Sequence, residues 1–126
     1  MSTQEIINNY YNYVNASDWD SWLSLFDDNV VMDEQLAGHL TGIQTLRNAV
    51  GGLEKGYSKF LMYPQQTVVE GNQACVIWQC EAANANGVPI NAKGANYFRV
   101  ENDKITYMSN FHDTRPFDPF VNQKLN

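Results

Sequence analysis

The chain has 126 residues, of which 44% are hydrophobic and 13% aromatic, and its formal net charge is −6. This length suits a single domain with a core of its own, so we expect one domain over residues 1–126. The acidic balance with scattered basic residues disfavours nucleic acid as a partner, and the short apolar runs disfavour a membrane span.

Two cysteines, Cys75 and Cys80, are present. Their odd spacing would put them on opposite faces of one strand, so an intrachain disulfide between them is not expected. Neither they nor the two histidines show a spacing typical of metal ligands, and we expect no metal site. The N-terminus also lacks the pattern of a secretory signal, so the sequence favours a reducing, cytoplasmic setting.

The first half of the chain predicts three helices. Ser2 and Glu5 form a capping-box pattern ahead of a helix over residues 3–15. A short second helix is expected after a cap at Ser17 or Asp18, and its buried stripe comprises Trp19, Trp22, Leu23 and Phe26. A second capping-box pattern at 41–44 precedes a third helix, whose apolar face comprises Ile43, Leu46, Val50 and Leu53.

Strands are predicted for most of the remaining chain. In the strand over 29–35, Val31 and Asp33 share one face, whereas Val30, Met32 and Glu34 share the other. Residues 38–40 read as a loop. Further strands are expected at 59–70, 73–83 and 88–100 and in a hairpin over 94–113, and Pro64 fits an edge strand or a bulge. The proline-containing tail after Asp113 is expected to be neither helix nor central strand.

The hairpin over 94–113 carries an unusual mixture of side chains. Thr106, Met108, Asn110 and His112 alternate onto one face, which suits a pocket wall, and Ile105, Tyr107, Ser109 and Phe111 onto the other. A three-residue loop at 101–103 places Asn96 and Phe98 beside Met108 and Asn110. A two-residue loop at 102–103 would bring Tyr97 and Arg99 there instead, and the residues alone leave both open.

Several stretches resemble one known superfamily. They are Tyr10, residues 15–20 (Asn-Ala-Ser-Asp-Trp-Asp), residues 25–33 (Leu-Phe-Asp-Asp-Asn-Val-Val-Met-Asp), Gly42, and residues 96–100 (Asn-Tyr-Phe-Arg-Val) followed by Lys104-Ile105. They are similar to ketosteroid isomerases and SnoaL-like proteins of the nuclear-transport-factor-2-like superfamily. The resemblance implies a cone-shaped α+β fold, in which three N-terminal helices pack on the concave face of a curved antiparallel (mixed) sheet. It also implies a homodimer through the sheet and favours the three-residue loop.

The same resemblance implies roles for three residues. Tyr10 matches the tyrosine that donates to the oxyanion in the isomerases, Asp33 matches their general-base aspartate, and Asn96 matches their protonated aspartic acid. An asparagine can donate a hydrogen bond without an abnormal pKa, so Asn96 could serve as the second oxyanion donor. An asparagine there is also the expected outcome if the site has changed to another reaction.

Further candidates come from residue type and position. His112 could act as a general acid or base if it points into a cleft. Candidate contacts to a flat hydrophobic ligand are Asn110, Met108, Phe98, Trp78, Tyr63 and Trp19. The alternative for these aromatic residues is packing in the core and in a dimer interface. His39 is expected to be a solvated or capping group in a loop.

Together these features predict a small, cofactor-free enzyme of the isomerase, cyclase or dehydratase type. Asp33 or His112 would remove a proton α to a carbonyl of a hydrophobic small molecule. Tyr10, with Asn96 or Asn110, would stabilise the resulting enolate. The alternative is a non-catalytic small-molecule-binding or dimeric scaffold domain of the same fold.

Overall fold

The helices lie mainly in the first half of the chain in the computed structural model, which describes residues 1–125. They are α1 (Thr3–Asn15), α2 (Trp19–Leu23) and α3 (Ile43–Gly56). The predicted capping box on α1 is present, because the Ser2 hydroxyl accepts a hydrogen bond from the Glu5 N–H at 3.1 Å. The predicted box at 41–44 is wrong: Gly42 is the N-cap, at φ +87°, and no side chain caps α3.

Six strands form one mixed sheet in the order β2-β1-β6-β5-β4-β3. They are β1 (Phe26–Glu34), β2 (Gly38–Thr41), β3 (Tyr57–Glu70), β4 (Gln73–Asn84), β5 (Pro89–Glu101) and β6 (Lys104–His112). β1 and β6 run parallel, and the other neighbours are antiparallel. Phe26 begins β1 and so does not extend α2 as predicted.

Residues 38–40 form part of β2, so the predicted loop is wrong. The Glu34 carboxylate accepts hydrogen bonds from the backbone N–H groups of Leu36 and Ala37. These bonds close a tight turn after β1. The turn lets β2 pair with β1 in antiparallel orientation, with Asp33 opposite His39.

One face of the sheet is buried and the other is largely exposed. Along β4 the buried side chains alternate with outward ones, and Cys80 is buried whereas Cys75 is exposed. Helix residues such as Ile6, Tyr10 and Leu46 share the core with the inward side chains of the sheet. The predicted α+β fold, with helices on one face of a curved mixed sheet, is therefore confirmed. Within residues 1–125 no helix combines the length and apolar character needed to cross a bilayer.

The hairpin between β5 and β6 differs from the prediction in its loop. Asn102 and Asp103, at φ +51° and +63°, form a two-residue turn, and Val100 pairs with Ile105. The register then shifts by one residue at Thr106, because Arg99 pairs with Tyr107. The bulge restores the predicted neighbours, so Asn96 and Phe98 lie opposite Asn110 and Met108. It also buries Ile105 in the core, although the strict alternation had put Ile105 with Tyr107.

The segment after β6 is helical, which corrects the prediction of a non-helical tail. A single 3-10 turn (Arg115–Phe117) leads into the short helix α4 (Asp118–Val121). Pro116 and Pro119 occupy first-turn positions, where a missing N–H costs no hydrogen bond. We call residues 115–121 the C-terminal cover. The Phe120 ring anchors it by stacking on the Tyr57 ring, with the two ring centroids 4.3 Å apart.

Candidate functional site

A cavity of about 490 Å³ lies between the helices and the concave face of the sheet. This volume is in the range of small-molecule sites, and most of the wall is apolar. Phe117, Phe120 and Val121 of the C-terminal cover line one side of it. The cover therefore closes part of the cavity.

A cluster of polar side chains lies in the cavity wall. At its centre is Glu34, which lies on the same face of β1 as Val30 and Met32. One of its oxygens, Oε1, accepts a hydrogen bond from Asn110 Nδ2 at 3.0 Å and lies 3.6 Å from His112 Nε2. The other, Oε2, accepts from two backbone N–H groups of the turn after β1, at 2.7 and 2.5 Å. Burial acts to raise the pKa of Glu34, but the interactions with His112, the two backbone N–H groups and Asn110 outweigh it and hold the pKa below its ordinary value.

His112 lies beside Glu34, and its side chain is only 2% exposed. Its Nδ1 is 2.8 Å from the carbonyl oxygen of Asp113. A carbonyl can only accept, so Nδ1 carries the proton and Nε2 is the nitrogen that faces Glu34. Burial acts to lower the pKa of His112, but the interactions with Glu34 and the Asp113 carbonyl outweigh it and raise the pKa above the ordinary 6.5.

Asp33 lies outside the cavity, on the outer face of the sheet. His39 Nδ1 is 2.6 Å from its Oδ1, and the Tyr107 hydroxyl donates to its Oδ2 at 2.7 Å. These hydrogen bonds lower the pKa of Asp33. The expected inward placement of Asp33 was wrong, because successive side chains alternate and its neighbour Glu34 occupies the inward position.

Tyr10 and Asn96 both line the cavity, as expected. Burial raises the pKa of Tyr10, partly offset by the nearby Trp22 indole, so its hydroxyl keeps its proton. Asn96 is 1% exposed, and its Nδ2 donates a hydrogen bond to the Tyr11 hydroxyl at 2.9 Å. Its Oδ1 has no hydrogen-bond partner among the described residues.

The predicted ligand-contacting residues divide into two groups. Trp19, Trp78, Met108 and Asn110 line the cavity. Phe98 instead lies in the core behind the wall, with its ring centroid 5.0 Å from that of Tyr10.

Tyr63 is 41% exposed and lies on the outer face, since its partner Gln79 lies between the inward-facing Trp78 and Cys80. Its expected contact with a ligand in the cavity was therefore wrong.

Asn110 is tied to the β1–β2 turn. Its Oδ1 accepts from the Gln35 N–H at 3.0 Å, and its Nδ2 is bonded to Glu34. With both amide atoms engaged, Asn110 acts mainly as a clamp between β6 and the end of β1. Among residues 1–125, no three His, Cys, Asp or Glu side chains gather as metal ligands.

The sequence reasoning missed two residues of this site, Glu34 and Tyr11. The signal for Glu34 was available, because alternation already placed it with Val30 and Met32, two apolar residues of a core-facing strand. Tyr11 follows Tyr10 on α1, and no local pattern distinguishes it from an ordinary core aromatic.

Known proteins share this fold. A family model described as a SnoaL-like domain matches residues 7–108. No curated protein sequence matches the chain at a significant level. An NTF2-like protein of unknown function from Burkholderia pseudomallei K96243 has a TM-score of 0.88 and 15% identity, over 98% of this chain and 100% of that one.

Two other solved structures contain small molecules. A hypothetical protein with a ketosteroid isomerase-like fold from Catenulispora acidiphila DSM 44928, in complex with trimethylamine, has a TM-score of 0.82 and 11% identity, over 95% of this chain and 94% of that one. TerC, co-crystallised with polyporic acid, has a TM-score of 0.84 and 16% identity, over 96% of this chain and 98% of that one. At such identities these likenesses show the fold alone.

Proposed function

Since the chain belongs to the SnoaL-like domain family, we propose that it is a small enzyme that binds a hydrophobic carbonyl compound in the cavity. It transfers a proton at the carbon next to the carbonyl, and it uses its own side chains without a cofactor. The observation that carries this proposal is His112, a nearly fully buried imidazole in an apolar cavity wall, beside a carboxylate.

His112 is better suited than Glu34 to be the base. The Glu34 oxygens already accept three hydrogen bonds, and the lowered pKa of this carboxyl group makes Glu34 a weaker base than the imidazole. The 3.6 Å between Glu34 Oε1 and His112 Nε2 is longer than an ordinary hydrogen bond. In the neutral imidazole Nε2 therefore keeps a lone pair that can take a proton from the ligand.

The reaction proceeds in two proton transfers. Nε2 takes the α-proton, and the electron pair of the broken C–H bond forms an enolate with its negative charge on the carbonyl oxygen. The new imidazolium lies beside the Glu34 carboxylate, which stabilises it. Nε2 then returns a proton to the same carbon or, where a C=C bond of the ligand is conjugated with the enolate, to the far end of that conjugated system. A positioned general base of this kind contributes roughly 10²–10⁴-fold to a rate.

Tyr10 is the donor best suited to the enolate oxygen. Its hydroxyl is buried in the cavity wall and remains protonated because burial raises its pKa. Asn110 and Asn96 are less suitable, since the Nδ2 of Asn110 donates to Glu34 and that of Asn96 to Tyr11.

The second candidate function is binding of a small molecule without chemistry. It is favoured by the ties of Glu34 and Asn110 to the β1–β2 turn, because these would also be expected of a purely structural polar cluster. In this case His112 only neutralises Glu34.

Hydrogen exchange in a simple ketone distinguishes the two functions. 2-Tetralone has acidic protons next to its carbonyl, and NMR in D₂O follows their replacement while calorimetry measures binding. An enzyme accelerates the exchange above the buffer rate. A ligand that binds while its exchange stays at the buffer rate would contradict the enzymatic function and support the binding function.

We also propose that two copies of the chain associate through the outer face of the sheet. Four apolar side chains are exposed there, Tyr63 by 41%, Val68 by 67%, Ile77 by 46% and Phe111 by 59%. Ile77 and Phe111 flank Ala95 on neighbouring strands, so they lie in one row across the sheet. A cluster of exposed apolar side chains on one face is typical of an interaction surface.

For the cellular setting we propose the cytoplasm. The support is the exposed thiol of Cys75, which has no disulfide partner among the described residues. Free surface thiols persist where the environment is reducing.

A further inference from the structure

Three buried side-chain polar atoms of cavity-lining residues lack a hydrogen-bond partner among the described residues: Nε1 of Trp22, Nε1 of Trp78 and Oδ1 of Asn96. Two of these atoms belong to neighbouring residues of the sheet, Trp78 and Asn96, which are 2% and 1% exposed. Leaving such a group unpaired costs about 1–3 kcal/mol, so buried polar groups normally find partners. Both residues line the same cavity.

The two residues are neighbours on the floor of the cavity. Trp78 of β4 pairs with Gly94 of β5, and Asn96 lies two positions further along β5 on the same face. Such diagonal neighbours are roughly 7–8 Å apart, within reach of long side chains. A Cβ on Gly94 would lie 2.5 Å from the Trp78 ring, so the glycine leaves the space that the indole occupies.

These atoms have complementary requirements. The indole Nε1–H can only donate, and the free atom of Asn96 is an acceptor because its Nδ2 donates to Tyr11. If the Asn96 amide reverses, with the Tyr11 hydroxyl donating instead, Asn96 presents its NH₂ to the cavity. A hydroxyl group both donates and accepts, so it satisfies the indole and either orientation of the amide.

We propose that Trp78 and Asn96 form a subsite for a hydroxyl group of the ligand, separate from the carbonyl that reacts at His112. The ligand class is therefore a hydroxylated hydrophobic carbonyl compound, such as a hydroxy-ketone or a phenolic ketone. The subsite lies beside the reactive group, because His112 also pairs with Gly94 and its ring is 5.8 Å from that of Trp78. This inference rests on the proposed function for the position of the carbonyl.

Calorimetry with a matched ligand series tests the subsite in the wild-type protein. The series is 2-tetralone, its 5-, 6- and 7-hydroxy derivatives and the corresponding methoxy derivatives. A methoxy oxygen can accept a hydrogen bond but cannot donate one. We expect at least one hydroxy derivative to bind about 3- to 10-fold more tightly than 2-tetralone, the effect of one or two neutral hydrogen bonds. Its methoxy analogue should lose this gain. No gain for any hydroxy derivative would overturn the proposal and indicate that water satisfies the two atoms.

Variants then assign the gain to the two side chains. Trp78→Phe removes the N–H, and Asn96→Leu is combined with Tyr11→Phe so that no buried hydroxyl loses its partner. The readout is the ratio of affinities for the hydroxy derivative and 2-tetralone, which cancels losses due to packing alone. We expect the ratio to fall towards one in both variants and to be unchanged in Asp33→Asn, which alters the outer face. An unchanged ratio in both cavity variants would overturn the assignment.

The binding test of the hydroxyl subsite does not depend on whether the protein catalyses proton transfer. Binding ratios require no turnover, so a hydroxyl gain without exchange at 2-tetralone would retain the subsite and remove the proposed reaction. Exchange without any hydroxyl gain would retain the reaction and remove the subsite.

Discussion

Glu34 and His112 stabilise each other's charged forms in the wall of an apolar cavity. Burial alone would favour the neutral form of each group. His112, the backbone donors of the β1–β2 turn and Asn110 together hold the pKa of Glu34 below its ordinary value, and the Glu34 carboxylate in turn raises the pKa of His112. The histidine therefore depends on a turn that is far from it in sequence.

This pair makes the stability of the fold depend on pH. The folded pKa of His112 is above 6.5, so its contribution is complete below about pH 6.5 and is lost as the pH rises through the folded value. The folded pKa of Glu34 is below 4.5, so its contribution is present above about pH 4.5 and is lost as the pH falls through the folded value. Both contributions are present between about pH 4.5 and pH 6.5. Urea unfolding should therefore show the largest difference in stability between wild type and His112→Gln in this pH range. A difference that stays constant from about pH 5 to 9 would contradict the pairing.

Glu34 and Asp33 provide a matched pair of substitutions on opposite faces of one strand. Glu34→Gln replaces a carboxylate oxygen that accepts hydrogen bonds with an NH₂ group that faces N–H donors, so we expect a loss of about 1–3 kcal/mol in the free energy of unfolding. It should also lower the pKa of His112, measured by NMR titration. Asp33→Asn should leave the affinity for 2-tetralone and the His112 pKa unchanged. Weaker binding in Asp33→Asn would show that the outer face affects the cavity.

The sequence predicted much of the cavity wall at the residue scale. Tyr10 and His112 line the cavity because helical periodicity and strand alternation set their faces correctly, whereas Asn96 lines it because a bulge compensates for the wrongly predicted loop. Asp33 was placed inward through its resemblance to a catalytic aspartate, and the alternation with Met32 argued for Glu34 instead. Tyr11 could not be predicted, since its role depends on a contact with a residue 85 positions away.

At the scale of elements, the prediction for the β5–β6 hairpin contained two errors that cancel: the loop was predicted with three residues, and the bulge at Thr106 was not predicted. The two-residue turn alone would put Tyr97 and Arg99 on the inner face, because a one-residue slip exchanges the faces of a strand. The bulge at Thr106 adds one residue and reverses the exchange. Local sequence could not predict this, since Asn and Asp fit either loop and the bulge follows from the burial of Ile105 in the core.

The C-terminal cover depends on one glycine of α3. A Cβ on Gly56 would lie 2.3 Å from the Phe120 ring, whereas a Cβ on Gly51 would contact nothing within 4 Å. We expect Gly56→Ala to displace the cover, weaken ligand binding and lower the melting temperature. Gly51→Ala is the control in the same helix and should raise stability by roughly 0.5–1 kcal/mol through helix propensity. Unchanged binding in Gly56→Ala would show that the cover does not contribute to the cavity.

At the scale of the whole molecule, the order of helices and strands was enough to predict the architecture. Three amphipathic helices followed by a long meander can bury their apolar faces only against one side of a sheet. The parallel pairing of β1 with β6 was not evident, because it joins strands distant in the chain and no local pattern marks it.

The outer face of the sheet allows a test of association. Ile77→Lys and Phe111→Lys each place a charge in the row of exposed apolar side chains, so we expect a dimer in sedimentation experiments to become a monomer. Val88→Lys replaces another exposed apolar residue, in the turn before β5, and should leave the dimer intact. A wild-type protein that is monomeric at all concentrations would contradict the proposed interface.

The central claim is that His112, inside the cavity, moves the proton. The most direct measurement compares hydrogen exchange at 2-tetralone in wild type, His112→Gln and Asp33→Asn at equal occupancy. We predict that His112→Gln loses at least about 100-fold of the accelerated rate, as expected for removal of a general base, while Asp33→Asn keeps the wild-type rate. Full activity in His112→Gln, or its loss in Asp33→Asn, would contradict the account.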